Sequence, residues 1–257
     1  MRILGIESSS LVASVALVTD SVLTAEYTVN FKKTHSQTLL PMLDAVAKLL
    51  DLDLSTIDAI AVAAGPGSFT GLRIGSATGK GLGLALNKPL IHIPTVDAMA
   101  YNLYGCGDLI CPIMDARRNQ VYTGIYRFAG EFEIIKPQTA MDMGRLVEEL
   151  NAMGERVVFL GDGVPVYQEL IEQKMTAPYG FASAHVNRQR GGSVAALGEV
   201  YFAQGRTETA AEHAPDYLRK SQAEREMEAA MASEAALKRL AMGHVPSHDA
   251  PAPGKAL

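Results

Sequence analysis

The chain has 257 residues, 48% hydrophobic and 20% charged, the make-up of a soluble globular protein with room for one large domain or two lobes. A net charge of −5 and a pI near 5.7 exclude a stand-alone nucleic-acid binder, which presents a basic face, so any action on nucleic acid has to run through a partner. Cys106 and Cys111 form neither a disulfide framework nor a zinc pattern and are expected to be reduced. No window approaches about 20 uninterrupted apolar residues and the start lacks a signal-peptide core, so a cytoplasmic protein without a membrane segment is expected.

In chain order, residues 3–7, 13–19 and 22–30 are β-rich runs, the last two joined by a tight turn at Asp20-Ser21, which predicts an antiparallel meander. A helix over 36–50, a buried-type strand at 57–64, a glycine-rich helix over 71–86 and a strand at 90–94 follow, giving the order β-β-β-α-β-α-β. The second half begins the same way, with strands at 110–115, 121–128 and 131–135, a helix at 143–153, a strand at 156–160 and helices at 164–174 and 193–204. Both halves end their first strand on an acid, Glu7 or Asp115, and resume at Ala13 or Val121. The repetition predicts two lobes of one α/β architecture, 1–105 and 106–220, facing each other across a cleft. Beyond them, 221–243 reads as a solvated helix, and 244–257, with three prolines and little to bury, as a disordered tail.

The densest signal is AGPGSFTGLRIGSATGKGLGLAL at 64–86, with seven of the 23 glycines between Gly65 and Gly83. Gly71, Gly75, Gly79 and Gly83 recur every four residues, and Ala77, Gly81 and Ala85 form a second ladder. On a helix each ladder is a smooth strip. Each glycine costs a helix about 1 kcal/mol relative to alanine, so something must pack closely against the segment to hold its shape. Spacing alone leaves open which ladder faces outward.

Chemistry-bearing patterns are few. The 65–71 loop follows a strand and opens a helix, the placement of a phosphate loop, but its GxGxxxG spacing is not the dinucleotide fingerprint. Gly75–Lys80 misses the Walker spacing by one residue, with no Ser or Thr after the lysine, so a tight structural turn is the alternative. Glu7, Ser8, Ser9, Gly65, Gly67, Ser68 and Arg73 are the candidate nucleotide or phosphate contacts. Glu7 with Asp115 would hold magnesium if the two acids met, against capped carboxylates at strand ends. His35 reads as a packing residue, His92 as a core histidine, and His244 with His248 as at most an adventitious metal pair in the tail. No catalytic residue and no metal centre are assigned.

The helix at 36–50 is apolar almost all round. Either it is internal to a large core, or one side covers its own sheet and the other docks on a second protein.

These residues carry a family resemblance. MRILGIESSSLVASVALV at the start, HSQTLLPML at 35–43, GPGSFTGLRIG at 65–75, MDARRNQVYTGIY at 114–126, LGDGVPVY at 160–167 and PDYLRKSQAE at 215–224 resemble the bacterial TsaB family, also called YeaZ, over about residues 1–224. The resemblance implies two RNase H-like lobes of the actin/Hsp70/sugar-kinase (ASKHA) type, each a mixed sheet flanked by helices. It further implies a non-catalytic scaffold in making N6-threonylcarbamoyladenosine at tRNA position 37, bound to a catalytic TsaD-type paralogue, joined by a TsaE-type ATPase, and reaching tRNA only through the complex. The paralogue's metal-binding His-x-x-x-His would fall just after 90–94, where this chain has PTVDAMAYNLY and no histidine. Pairing is implied through the first two helices, with His35, Leu39, Met42, Leu43, Val46, Gly71, Ile74, Gly75, Ala77, Gly79 and Gly81 as candidate contacts, and a homodimer through the same helices when the partner is absent. No cofactor of its own is expected, with ATP or ADP at the subunit junction. The alternatives are an ATP-hydrolysing enzyme of the same fold and a glycoprotease-like metallopeptidase. Glu7 stands where the family usually has Asp, and the tail is longer than usual.

Overall fold

The central strand of the first sheet, β1 (Arg2–Glu7), is apolar on both faces and buried from Ile3 onward, as a strand covered on two sides must be. It runs antiparallel to β2 (Val12–Thr19), which continues antiparallel to β3 (Val22–Asn30), and parallel to β4 (Ala59–Gly65). β5 (Leu90–Pro94) closes the other edge parallel to β4, giving the order β3-β2-β1-β4-β5. The second sheet contains β6 (Leu109–Asp115), β7 (Gln120–Phe128), β8 (Phe132–Asp142), β9 (Val157–Leu160) and β10 (Tyr179–Phe181), in the order β10-β9-β6-β7-β8. Read from the other end, it repeats the first sheet strand for strand, with the same parallel and antiparallel partners. This duplication gives the two lobes anticipated from the matched openings, in the ASKHA arrangement that the resemblance implied. The computed structural model describes residues 1–218 with Met227 and Met231; the rest of the expected helix at 221–243 and the tail lie outside the described residues.

Helices α1 (His35–Leu49) and α2 (Phe69–Leu86) cover one face of the first sheet, over Leu4, Ile6, Ile60 and Val62. The opposite face, with Ile3, Ala61, Ile91 and Ile93, takes α6 (Gly191–Ala203). This helix follows the second sheet in sequence, where the expected 106–220 lobe placed it, yet it packs on the first. The first sheet also satisfies its opening N–H groups: Gly191 N donates to Ser14 Oγ (2.8 Å) and Gly192 N to Glu26 Oε1 (3.1 Å). Helices α4 (Met143–Met153) and α5 (Val164–Lys174) cover the second sheet.

Helix α3 (Thr95–Tyr101) and strand β10 escaped the sequence reading, and β8 was read short. Helix α3 gives Ala98 and Tyr101 to one sheet's core and Val96 and Met99 to the other's, so it has no solvent stripe for a periodicity search to find. Strand β8 runs past the expected 131–135 to Asp142 and includes Pro137, tolerated because β8 is an edge strand with one unpaired side. Both cysteines are free, and burial pushes the Cys111 thiol up to about 12. Among the described residues no helix is long and apolar enough to cross a membrane.

Candidate functional site

Ser68 starts α2 by accepting a hydrogen bond from Gly71 N at 3.3 Å, and Asn87, left-handed at φ 52°, ends it. Between these caps the two ladders separate cleanly. Gly71, Gly75, Gly79 and Gly83 are buried against the helix's own sheet and loops. A Cβ at Gly71 would overlap the Ser8 carbonyl oxygen, one at Gly75 would overlap Ser8 Oγ, and one at Gly79 would lie 2.6 Å from Val62 Cγ2. The missing side chains let the helix approach β1 and β4 this closely. The second ladder faces away: Ala77, Gly81 and Ala85 are exposed, and a Cβ at Gly81 would meet nothing within 4 Å.

Most of the expected docking residues are therefore corrected. His35, Leu39, Met42, Leu43 and Val46 on α1, and Gly71, Gly75 and Gly79 on α2, are buried within this chain and fill its core; His35 Nε2 lies 2.8 Å from the Ser10 carbonyl. Of the expected set, half-buried Ile74 and exposed Ala77 and Gly81 stay reachable. The sequence reading missed three exposed leucines: Leu40 and Leu84, on the outward sides of α1 and α2, and Leu49 at the end of α1 are 55%, 72% and 83% exposed. The exposed sides also carry charge: Lys48 pairs with Asp44 at 2.7 Å on α1, and on α2 the Arg73 guanidinium, one turn before Ala77, sits 4.1 Å from the Phe69 ring centroid.

Behind this face lie the acids and the glycine loop. Glu7 is 1% exposed, and its Oε1 accepts from both Ser9 N and Ser9 Oγ at 2.6 Å. Burial pushes its carboxyl up to about 7, the Ser9 hydrogen bonds oppose that, and the Asp162 carboxylate adds to it. Asp115 is committed to its own turn, accepting from Arg117 N at 2.8 Å and pairing with Arg117 Nη1 at 3.1 Å. Each acid thus closes a local turn. The loop is equally self-contained: Ser68 N donates to the Ser9 carbonyl (2.6 Å), Ser8 Oγ to the Gly71 carbonyl (2.9 Å), and Gly65 N to Thr95 Oγ1 (3.1 Å). A Cβ at Gly67 would overlap the Ser9 carbonyl, so this glycine serves the close loop-to-loop approach. Ser68 N and Ser8 Oγ thus tie the loop to the β1–β2 turn, and Gly65 N ties it to the start of α3. His92, expected in the core, is half-buried on β5 with Nε2 3.1 Å from Asp216 Oδ2.

Comparison with known proteins bears on the family and the fold. The family described as "TsaD: tRNA N6-adenosine threonylcarbamoyltransferase" matches residues 25–227. The Bacillus subtilis tRNA threonylcarbamoyladenosine biosynthesis protein TsaB is 33% identical over 227 residues, covering 87% of this chain and 96% of that protein. The Escherichia coli protein of the same name is 29% identical, covering 86% and 96%. A crystal structure from Pseudomonas aeruginosa, of an uncharacterized protein with similarity to peptidase YEAZ, superposes with a TM-score of 0.74 at 25% identity, covering 85% of this chain and 99% of that one. With near full-length coverage on both sides and the duplicated fold in place, the chain belongs to the TsaB (YeaZ) family.

Proposed function

We propose that this chain works in tRNA threonylcarbamoyladenosine biosynthesis as a non-catalytic subunit that docks a TsaD-type catalytic paralogue through the outer face of α1 and α2. The observation that carries the proposal is the exposed strip of Ala77, Gly81, Leu84 and Ala85 on α2, with Leu40 exposed on the neighbouring α1, on helices whose other sides already fill the core. An open glycine next to exposed leucines lets a partner helix approach closely, and a leucine-bearing patch of this kind gains from being covered. The names of the relatives support the pathway; the polar atoms of Glu7, Ser8, Ser9 and Ser68, turned toward one another, support a chain without chemistry of its own.

In this reading a TsaE-type ATPase joins the heterodimer, tRNA is met only through the complex, and ATP or ADP belongs to the subunit junction. Without the paralogue, the same strip pairs two copies of the chain. Co-expression with the paralogue followed by size-exclusion chromatography tests the proposal. The wild type is expected to co-elute with it, and Gly81→Leu or Leu84→Asp to elute alone with an unchanged circular dichroism spectrum. Co-elution of both variants would remove α2 from the interface. Magnesium-ATP hydrolysis by the isolated chain would favour the enzyme alternative.

A further inference from the structure

Residues 207–218 return from α6 to the edge of the first sheet and form a polar cluster remote in sequence from the docking helices. Glu208 forms an antiparallel bridge with Leu90, each N–H donating to the other's carbonyl at 2.9 Å. Alternate residues of a strand share a face, so this bridge sets the Glu208 carboxylate beside His92, two positions along β5. Its Oε1 lies 3.9 Å from His92 Nδ1. The following turn is closed by Glu212 N on Thr209 Oγ1 (3.2 Å) and His213 N on the Thr209 carbonyl (3.1 Å). It folds His213 back so that Nδ1 sits 2.6 Å from the same Glu208 oxygen. Lys80 of α2 holds the turn by donating to the His213 carbonyl at 2.9 Å, and Asp216 N donates to the Ala64 carbonyl at 2.7 Å.

The structure assigns His92, Glu208 and His213 as a binding site for a borderline divalent cation, zinc above all, that staples the 207–216 segment to β5. Among the described residues this is the one group of three such side chains with converging ligand atoms, all within 4.8 Å of one another. A tetrahedral zinc site with bonds of about 2.0–2.1 Å has ligand atoms about 3.3 Å apart, so the observed 2.6 Å and 3.9 Å bracket the requirement and small side-chain rotations close it. Two imidazoles and one carboxylate suit zinc and its neighbours, whereas magnesium and calcium favour all-oxygen sets. One further observation points to a ligand. His92 Nε2 faces the Asp216 carboxylate at 3.1 Å, so with the proton held there its Nδ1 lone pair turns toward Glu208, the outer-carboxylate arrangement that orients histidine ligands. The set joins His92 of β5 to Glu208 and His213 of the later segment; α3, where the resemblance places the paralogue's histidines, has none.

The test uses the full-length chain, stripped with EDTA and titrated with zinc chloride by calorimetry, with the melting temperature followed in parallel. One zinc per chain is expected at micromolar affinity or tighter, with a raised melting temperature. Glu208→Gln and His92→Asn, at side chains 24% and 29% exposed, are expected to fold and to weaken binding at least tenfold. His244→Ala combined with His248→Ala, which removes the tail pair, is expected to leave binding unchanged. Cobalt(II) in place of zinc adds a readout, the visible absorption of a tetrahedral nitrogen–oxygen site. No binding tighter than about 100 µM, or binding kept in Glu208→Gln and lost in the tail variant, would overturn the assignment.

Discussion

Helices α2 and α5 occupy equivalent crossovers, each between the fourth and fifth strands of its lobe, yet they face solvent in opposite ways. α5 buries Tyr167 and Ile171 and exposes Gln168, Glu169, Glu172, Gln173 and Lys174, the stripe of a helix that has finished its packing. α2 buries glycines and exposes Ala77, Gly81, Leu84 and Ala85. The matched acids diverge likewise: Glu7 is sealed under its serine turn, whereas Asp115 keeps Arg117 as a partner near the surface. Duplication kept the topology of the lobes while their surfaces diverged. On α2 the first lobe exposes small residues and a leucine; on α5 the second exposes a charged stripe.

The strongest way to break this comparison is to fill the inward ladder. Gly75→Leu forces a side chain into Ser8 and is expected to cost at least about 3 kcal/mol, read as lost soluble yield or a lowered urea midpoint; a variant of wild-type stability would show that α2 does not need the close approach.

The buried acid of the first lobe offers the next largest effect. The Glu7 carboxyl titrates near 7 in the folded chain against about 4.5 unfolded, so between these values the folded state holds a proton that the unfolded state has released. Stability is therefore expected to fall as pH rises from 4.5 to 7, by up to about 3 kcal/mol from this group. Glu7→Gln keeps an acceptor for Ser9 and should flatten that slope in denaturant titrations between pH 5 and 8. An unaltered slope would assign it to other groups.

Smaller effects sharpen the contrast between the outer faces. Leu84→Asp is expected to weaken paralogue binding at least tenfold in calorimetry, while Glu172→Leu on α5 leaves it within twofold. Equal losses would place the partner across both lobes. Least in size, Gly81→Ala has open space for its methyl group and should raise stability by about 1 kcal/mol, the helix-propensity difference, in thermal melts.

Much of the fold was legible locally. Alternation and turn residues marked the meanders, and the helices at 143–153 and 164–174 match the observed bounds because each carries an amphipathic stripe. α3 was not legible, since contact with both sheets erases the stripe. Burial of His35, Leu39 and Met42 was not legible either, because an apolar helix with two apolar sides reads the same whichever side meets the sheet. The cluster of His92, Glu208 and His213 has no local signal at all, its members being brought together by a pairing between Leu90 and Glu208.

By itself the sequence determined the duplicated strand order, the family, and the presence of two smooth strips on one helix, since all of these follow from local spacing and identity. Only the tertiary structure decided which strip faces out. Both strips are built from small residues at four-residue intervals, and what separates them is the position of β1 and β4, set by chain distant in sequence.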